Sequence, residues 1–538
     1  MRLALIVVLA TAALLRLWGL GFGLELDDPS RSVLNNEVDE HGMATQVATG
    51  LREGSLHPGE FLHRGPGGYL VFAVADLVVL APRIVFGDTS WDTALQDLAR
   101  FPALLQLIHR GVSALAGFLT VLAIMALTDR LGGRRAGLLA GALLAVAYVH
   151  VRQSHYGTVD TLWALLVVVT LERALSWSAQ PTTRGALLLG VLGGAAAAVK
   201  YFGVLLGGPL LLAWWCARRA GTPDGSEPSA TPRVSLSTLG LLLLGSIGGF
   251  ALLSPIVVLA PGDLFEKLLW STETYGSEPA ASELFGSLAH HARFTLWVGL
   301  GEPVVVFAVI GLLLGLRAGG EPRQLALSAL LLTPSLFLTS HHPVRFGLPV
   351  AVLAVPFAGV LLDRVLERVG RPWGIAVLLL ALAPSLVRSV AFDALIGRTD
   401  TRVEIVQHLR QAGAEAEDVY AFGIYGLPRN KPKPYVDVYR ASHRAGGSPP
   451  APVAEAWPRF LLRDLTADGV SSLGWDAAAP LVGSRYREVV RLDGRTDPTA
   501  VPMPDPAAGT PSHFVPYAEP WTMRRPGPGL VLYERLED

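Results

Sequence analysis

The sequence predicts an all-α polytopic membrane protein that ends in a small extracytoplasmic α/β domain. Three observations predict it. Apolar residues make up 51% of the 538 residues and charged residues 17%, and the mean hydropathy is +0.42, too apolar for a soluble chain of this length. Segments approaching the ~20 apolar residues that a crossing helix needs recur up to about Ser389. From about Asp393 the chain turns polar and proline-rich, over a stretch long enough for a small domain.

The first apolar run, Met1 to Leu20, has Arg2 at its start and Arg16 inside it. It lacks a small-x-small cleavage site, so it reads as a retained helix and not a cleaved signal peptide. Spans are expected near 3–22, 106–128, 136–150, 158–176, 185–200, 203–217, 236–257, 298–316, 324–340, 347–362 and 373–391, about eleven in all. Gly68 to Phe86 is ambiguous because it holds Asp76, Pro82 and Arg83. Basic turns resolve it. Those at Arg130, Arg134 and Arg135, at Arg173 and Arg184, at Arg218 and Arg219, at Arg317 and Arg323, and at Arg364, Arg368 and Arg371 all fall on the cytoplasmic side only if Gly68 to Phe86 does not cross. It is then a juxtamembrane or re-entrant helix in a long outer loop, 22–105. The N-terminus is expected inside and the C-terminus outside.

The division expected is a membrane domain, 1–392, and an extracytoplasmic domain, 393–538. In the latter, Val403, Val406 and Leu409 predict a helix over Thr401 to Gln411. Val419 to Ile424 and Gly529 to Tyr533 read as strands, and the proline-rich Val501 to Pro528 as a loop.

The net charge of −1 excludes an electrostatic case for nucleic acid, and only Lys200, Lys267, Lys431 and Lys433 among the 44 basic residues are lysines. The single cysteine, Cys216, rules out an intramolecular disulfide and a multi-cysteine metal site. The arginine-, alanine- and glycine-rich usage points to a GC-rich bacterial genome and hence to a plasma membrane.

In this topology the unusual polar residues collect on the outer side. Asp39 and Glu40 lie in the first loop, His155 and Asp160 in the second, Lys200 closes a span, and His341, His342 and Arg345 share a late turn. Carboxylates with several cations suit a reaction in which a base activates an acceptor while cations stabilise a departing phosphate. Each has a plainer alternative. Asp39, Glu40 and Asp160 also suit helix N-termini, Lys200 can snorkel, His155 can be an interfacial histidine, and Arg345 can be a loop arginine at the lipid headgroups.

Several motifs in order resemble the GT-C membrane glycosyltransferases, in the branch of the protein O-mannosyltransferases and the aminoarabinose transferase. They are Val38-Asp39-Glu40, His57-Pro58 to Gly68-Tyr69-Leu70, Gly133-Arg134-Arg135-Ala136-Gly137, Ser154-His155-Tyr156-Gly157-Thr158-Val159-Asp160, Ala198-Val199-Lys200-Tyr201, His342-Pro343-Val344-Arg345-Phe346-Gly347, and Gly527 to Tyr533. The resemblance implies a GT-C-like fold and a polyprenyl-phosphate sugar as donor. It also implies displacement with inversion on the outer face, with Asp39 as base and Glu40 in support. Asp160, Lys200, Arg345, His155 and His342 would form the donor and phosphate site. The acceptor would be a lipid, a glycan or a protein. No cofactor is required, because Lys200 and Arg345 can stabilise the leaving group; a divalent ion is compatible but not indicated, adjacent His341 and His342 being poorly placed to hold one ion.

Two rival classes remain. In a transporter or lipid flippase, intramembrane charges line a path, but here they gather on one face and no inverted repeat is evident. A non-catalytic scaffold predicts that Asp39 is dispensable.

Overall fold

The structure, a computed structural model, describes residues 1–28, 31–33, 38–55, 57–59, 62, 65–87, 90, 93–94, 96, 102–220, 234–275, 281–337, 343–415, 418–422, 457–465, 475–497 and 515–536. The chain divides into two compact units. One comprises 1–18, 42–100 and 108–390; the other comprises 19–41, 101–107 and 391–538.

The apolar runs form helices. They are α1 (Arg2–Leu17), α2 (Val38–Glu53), α3 (Pro66–Phe86), α4 (Pro102–Val146), α5 (Tyr148–Gln153), α6 (Asp160–Ala179), α7 (Thr183–Val199), α8 (Gly207–Ala220) and α9 (Leu236–Leu253). After α10 (Pro261–Tyr275) and α11 (Ala281–His290) come α12 (Glu302–Arg317), α13 (Gly320–Leu331), α14 (Leu348–Arg368) and α15 (Arg371–Ile396). Each of the eleven expected spans overlaps one of these helices, with 106–128 and 136–150 sharing α4 and only the start of 324–340 falling in α13. Among the described residues, however, six helices are long and apolar enough to cross a membrane, or seven if the pair bent by 113° at Gly299–Gly301 is one span. Length therefore does not confirm about eleven: α1, α7 and α13 fall short of ~20 residues, α4 counts once although two expected spans lie in it, and α12 counts only with the helix bent against it.

Breaks follow backbone chemistry. Gly133, at φ 84, divides α4 into two helices where the sequence reading had spans 106–128 and 136–150. Pro334 follows the end of α13, and a 3-10 turn, Thr333–Leu336, follows it within the expected span, whose last residues, 338–340, lie outside the described ones. Gly68 to Phe86, the ambiguous run, lies within one continuous helix that starts on Pro66 and holds Pro82 inside.

Helix contacts in this unit rest on small residues. A Cβ on Gly190 or Gly194 of α7 would collide with the backbone of Leu242 and Ser246, and one on Gly245 or Gly249 of α9 with Leu187 and Val191. Two small-x-x-x-small stripes therefore face each other, so the backbones approach closely. The basic turn of Arg130, Arg134 and Arg135 is tied to the two later ones by ion pairs: Arg130 donates to Glu321, two residues before Arg323 (Nε to Oε2, 2.9 Å), and Arg135 lies 2.9 Å from Asp363, next to Arg364.

The second unit contains α16 (Thr401–Gln411) and a sheet of β1 (Val419–Phe422), β2 (Phe460–Asp464), β3 (Tyr486–Leu492) and β4 (Leu530–Arg535), in the order β1-β2-β4-β3. β1 and β2 are parallel, and the other pairings are antiparallel. Asp400 caps α16 by accepting from the Arg402 amide and receives two bonds from the buried Arg402 guanidinium. Ile405 and Leu409 pack on one face of the sheet, against Phe460, Leu462, Leu530 and Leu532. Leu461, Val531, Trp475 and Tyr533 fill the other. The helix and two strands fall where the sequence places them; β2 and β3 are additions. Gly423 and Ile424, and 501–514 of the proline-rich loop, lie outside the described residues.

Candidate active site

Two helix ends create the site. α6 begins on Asp160, whose carboxylate stands where unpaired N–H groups favour an anion. α7 ends at Val199, and Lys200 is its C-cap, an extended residue beyond the last carbonyls, where a cation is favoured. The chain then turns into a 3-10 segment, Tyr201–Leu206, because Gly203 is pressed onto the backbone of Ala196 and Ala197, where no Cβ fits. The Lys200 ammonium donates to the Asp160 carboxylate in an ion pair whose side chains are 11% and 3% exposed.

Aromatic rings enclose the ammonium. Its Nζ lies 4.4 Å from the Phe346 centroid, 5.0 Å from that of Trp163 and 5.9 Å from that of Phe202, all within cation–π range. Phe346 meets Phe202 edge-on at 5.3 Å. Phe346 comes from the 3-10 turn Val344–Gly347, which also carries Arg345, and the Arg345 charge acts on Asp160 together with that of Lys200. The structure thus brings together Asp160, Lys200 and Arg345, three of the residues singled out in the sequence, from three separate parts of the chain.

The remaining expected residues stand differently. His155 is fully buried, with its ring nitrogens 2.9 Å from the carbonyls of Val151 and Trp18. Burial outweighs these two contacts and, with the Arg110 and Arg16 charges, lowers His155 to about 4, so its ring is neutral at ordinary pH. Glu40 is fully buried in the first turn of α2, and Asp39 precedes it in the same turn. The Asp39 side chain, and His341 and His342, lie outside the described residues. Among the described residues no three His, Cys, Asp or Glu side chains gather as a metal site.

Arg16, the charge inside the first apolar run, has a structural position. Its guanidinium donates to the carbonyls of Leu144 and Ala145, the last turn of α4, and lies 2.8 Å from His150 Nδ1. A cation there satisfies helix-end carbonyls that have no intrahelical donor.

Three groups have no role in the sequence analysis, although Gly68 and Phe346 stand in its motifs. Trp163, Phe202 and Phe346 follow Asp160, Lys200 and Arg345 by three, two and one residues, a pattern of aromatics next to each charge that is visible in hindsight. Gly65, Gly67 and Gly68, at the start of α3, lie against the carbonyls and backbone of Val199 and Ala198 and against the Val159 side chain. Finally, His291 opens a π-helical segment, His291–Val298. Its Nδ1 is 2.8 Å from the Thr295 hydroxyl, which donates to the carbonyl of Val344, the residue before Arg345.

Residues 106–223, which include Asp160 and Lys200, match the profile of a family described as dolichyl-phosphate-mannose-protein mannosyltransferase. Among solved structures, ArnT from Cupriavidus metallidurans bound to undecaprenyl phosphate aligns over 98% of this chain and 97% of its own, at 13% identity and a TM-score of 0.51. That likeness is one of fold. The oligosaccharyltransferase AglB of Archaeoglobus fulgidus, solved with an inhibitory peptide and a dolichol-phosphate, aligns at 14% identity over 76% of this chain, with a TM-score of 0.43. This chain spans 58% of that archaeal protein. A search of curated proteins found no match.

Proposed function

Taking as premise that the chain is a GT-C-type membrane glycosyltransferase, the class to which the mannosyltransferase match and the fold shared with ArnT point, we propose that it moves a sugar from a polyprenyl-phosphate donor to an acceptor on the extracytoplasmic face. The reading is carried by one observation: Lys200, Asp160 and Arg345 converge in an aromatic enclosure at the meeting of two helix ends.

The proposed step is a direct displacement. The acceptor oxygen or nitrogen attacks the anomeric carbon as its proton passes to Asp39, the carbon–oxygen bond to phosphate breaks, and the electron pair leaves with the phosphate. Attack opposite the leaving group inverts the anomeric centre. Lys200 and the Arg345 fork bind the phosphate oxygens and hold the charge that grows on them. Asp160 keeps Lys200 charged and aimed until the phosphate shares it. Glu40 supports Asp39, His342, three residues before Arg345 in the chain, joins it in binding the donor, and the neutral His155 ring holds the second loop. The multi-pass topology of about eleven spans and the division at 392/393 belong to the same proposal, as does a plasma-membrane location. The acceptor is a lipid, a glycan or a protein.

Membranes containing the wild type or Asp39→Asn, at matched expression, are supplied with a panel of radiolabelled polyprenyl-phosphate sugars. Label leaving the lipid with the wild type alone supports the transfer and the base. No transfer from any donor, with Asp39→Asn still complementing a deletion strain, overturns the assignment in favour of transport.

A further inference from the structure

Asp76 and His109 form a buried pair that the proposed reaction does not use. Asp76 Oδ2 is 3.0 Å from His109 Nε2, and both side chains are fully buried. The Phe72 ring stacks on the imidazole at 4.2 Å with 14° between planes. Asp76 Oδ1 and His109 Nδ1 make no hydrogen bond among the described residues. An apolar pair would dock these helices with no polar atoms left over. What a hydrogen bond adds is direction, and direction fixes register.

Register matters because of what lies on the same stripe of α3. Gly68, Phe72 and Asp76 are spaced by four, so they share one helix face. The opposite face, with Val74 and Val78, is exposed. Phe72 and Asp76 grip His109, in the first turns of α4, while Gly68 lies on Val159 and Gly65 and Gly67 lie on Val199 and Ala198. Val159 and Val199 are the residues immediately before Asp160 and Lys200. Gly68 admits no Cβ at this distance, so the fit is specific to one rotation and one height of α3; sliding by a single residue moves the helix about 1.5 Å and turns it by about 100°.

We propose that the Asp76–His109 pair, with Phe72, is a register lock. It holds the glycine end of α3 against the two residues that present Asp160 and Lys200, and so sets the geometry of the donor-phosphate site from two helical turns away. Asp76 and His109 are positioning residues, and the proposal rests on the reading of Lys200 as the phosphate ligand. The Tyr201 hydroxyl donates to the Leu62 carbonyl at 2.6 Å, a second tie between the residues next to Lys200 and the chain ahead of α3.

The test uses the full chain in nanodiscs, comparing wild type, Asp76→Leu, Asp76→Asn and the double Asp76→Leu/His109→Leu. Hydrogen exchange is read at amides 67–73 and 198–203, a measurement independent of catalysis. Asp76→Leu is expected to speed exchange in both segments by about tenfold and, with an active donor, to raise its KM by about tenfold at little change in kcat. Asp76→Asn, whose amide oxygen still accepts from His109, restores both, and the double variant adds nothing to the single one. Unchanged exchange at 198–203 in Asp76→Leu overturns the lock, whether or not any donor is used. If Asp76→Leu does not accumulate, Phe72→Leu is read instead; a rise in the same two segments supports the lock, and exchange equal to wild type overturns it. Faster exchange with no turnover of any donor keeps the lock and removes only its link to the phosphate.

Discussion

Lys200 and Asp160 meet across two helix ends, the ammonium just past the last carbonyls of α7 and the carboxylate at the first residue of α6. Each charge stands where its own helix favours it, which offsets part of the cost of burying both.

The pair therefore separates stability from function. Lys200→Met leaves the Asp160 carboxylate buried without its partner and is expected to cost about 3–5 kcal/mol. Asp160→Asn/Lys200→Met removes both charges and recovers most of that loss, yet does not recover transfer. Melting temperatures in detergent, set beside transfer rates, check this; a double variant with near wild-type transfer refutes the phosphate role of Lys200.

Arg345 offers a planar fork, and the chemistry of a fork is not that of a point charge. Arg345→Lys is expected to raise the donor KM severalfold and Arg345→Ala by about tenfold or more. Steady-state kinetics with a polyprenyl-phosphate sugar would reveal it, and equal KM values in all three proteins would remove Arg345 from the phosphate site.

The α7–α9 contact tolerates no side chain. Gly194→Val meets the Ser246 backbone and is expected to destabilise by about 1–3 kcal/mol. On α9, Gly240 faces open space, so Gly240→Ala is expected to stabilise by about 0.5–1 kcal/mol. Thermal unfolding of the two variants should move in opposite directions.

His155 links stability to acid. Its native pKa, lowered to about 4 by burial, lies below the ordinary histidine value of 6.5. The unfolded chain takes up a proton before the folded one does, so the contribution is full above 6.5 and is lost as pH falls towards 4. Melting temperature should fall between pH 7 and pH 4.5, and His155→Leu should flatten that slope; a variant with the wild-type pH profile would contradict it.

How much was legible can be judged residue by residue. Apolar runs reveal helices because a buried or lipid-facing helix leaves a length signal in the chain, and every expected span holds one. The end points were less legible. Gly133 and Pro334 break helices in ways that depend on what surrounds them, and α12 starts at Glu302 only because the chain bends sharply before it. β2 was missed because a strand buried on both faces has no alternation to find, Phe460, Leu461 and Leu462 all being buried; β3 was missed for the opposite reason, since only its ends, Tyr486 and Leu492, are buried and the residues between them carry no apolar alternation.

The sequence by itself determined the apolar segments, the polar tail and the identity of the unusual charges, because hydropathy and charge are properties of each residue. The tertiary structure decided which charges meet. Asp160 and Lys200 are 40 residues apart, and their pairing, the three rings around the ammonium and the glycine end of α3 beneath it depend on close helix packing. Packing is specified by contacts between segments, which no local pattern of residues contains.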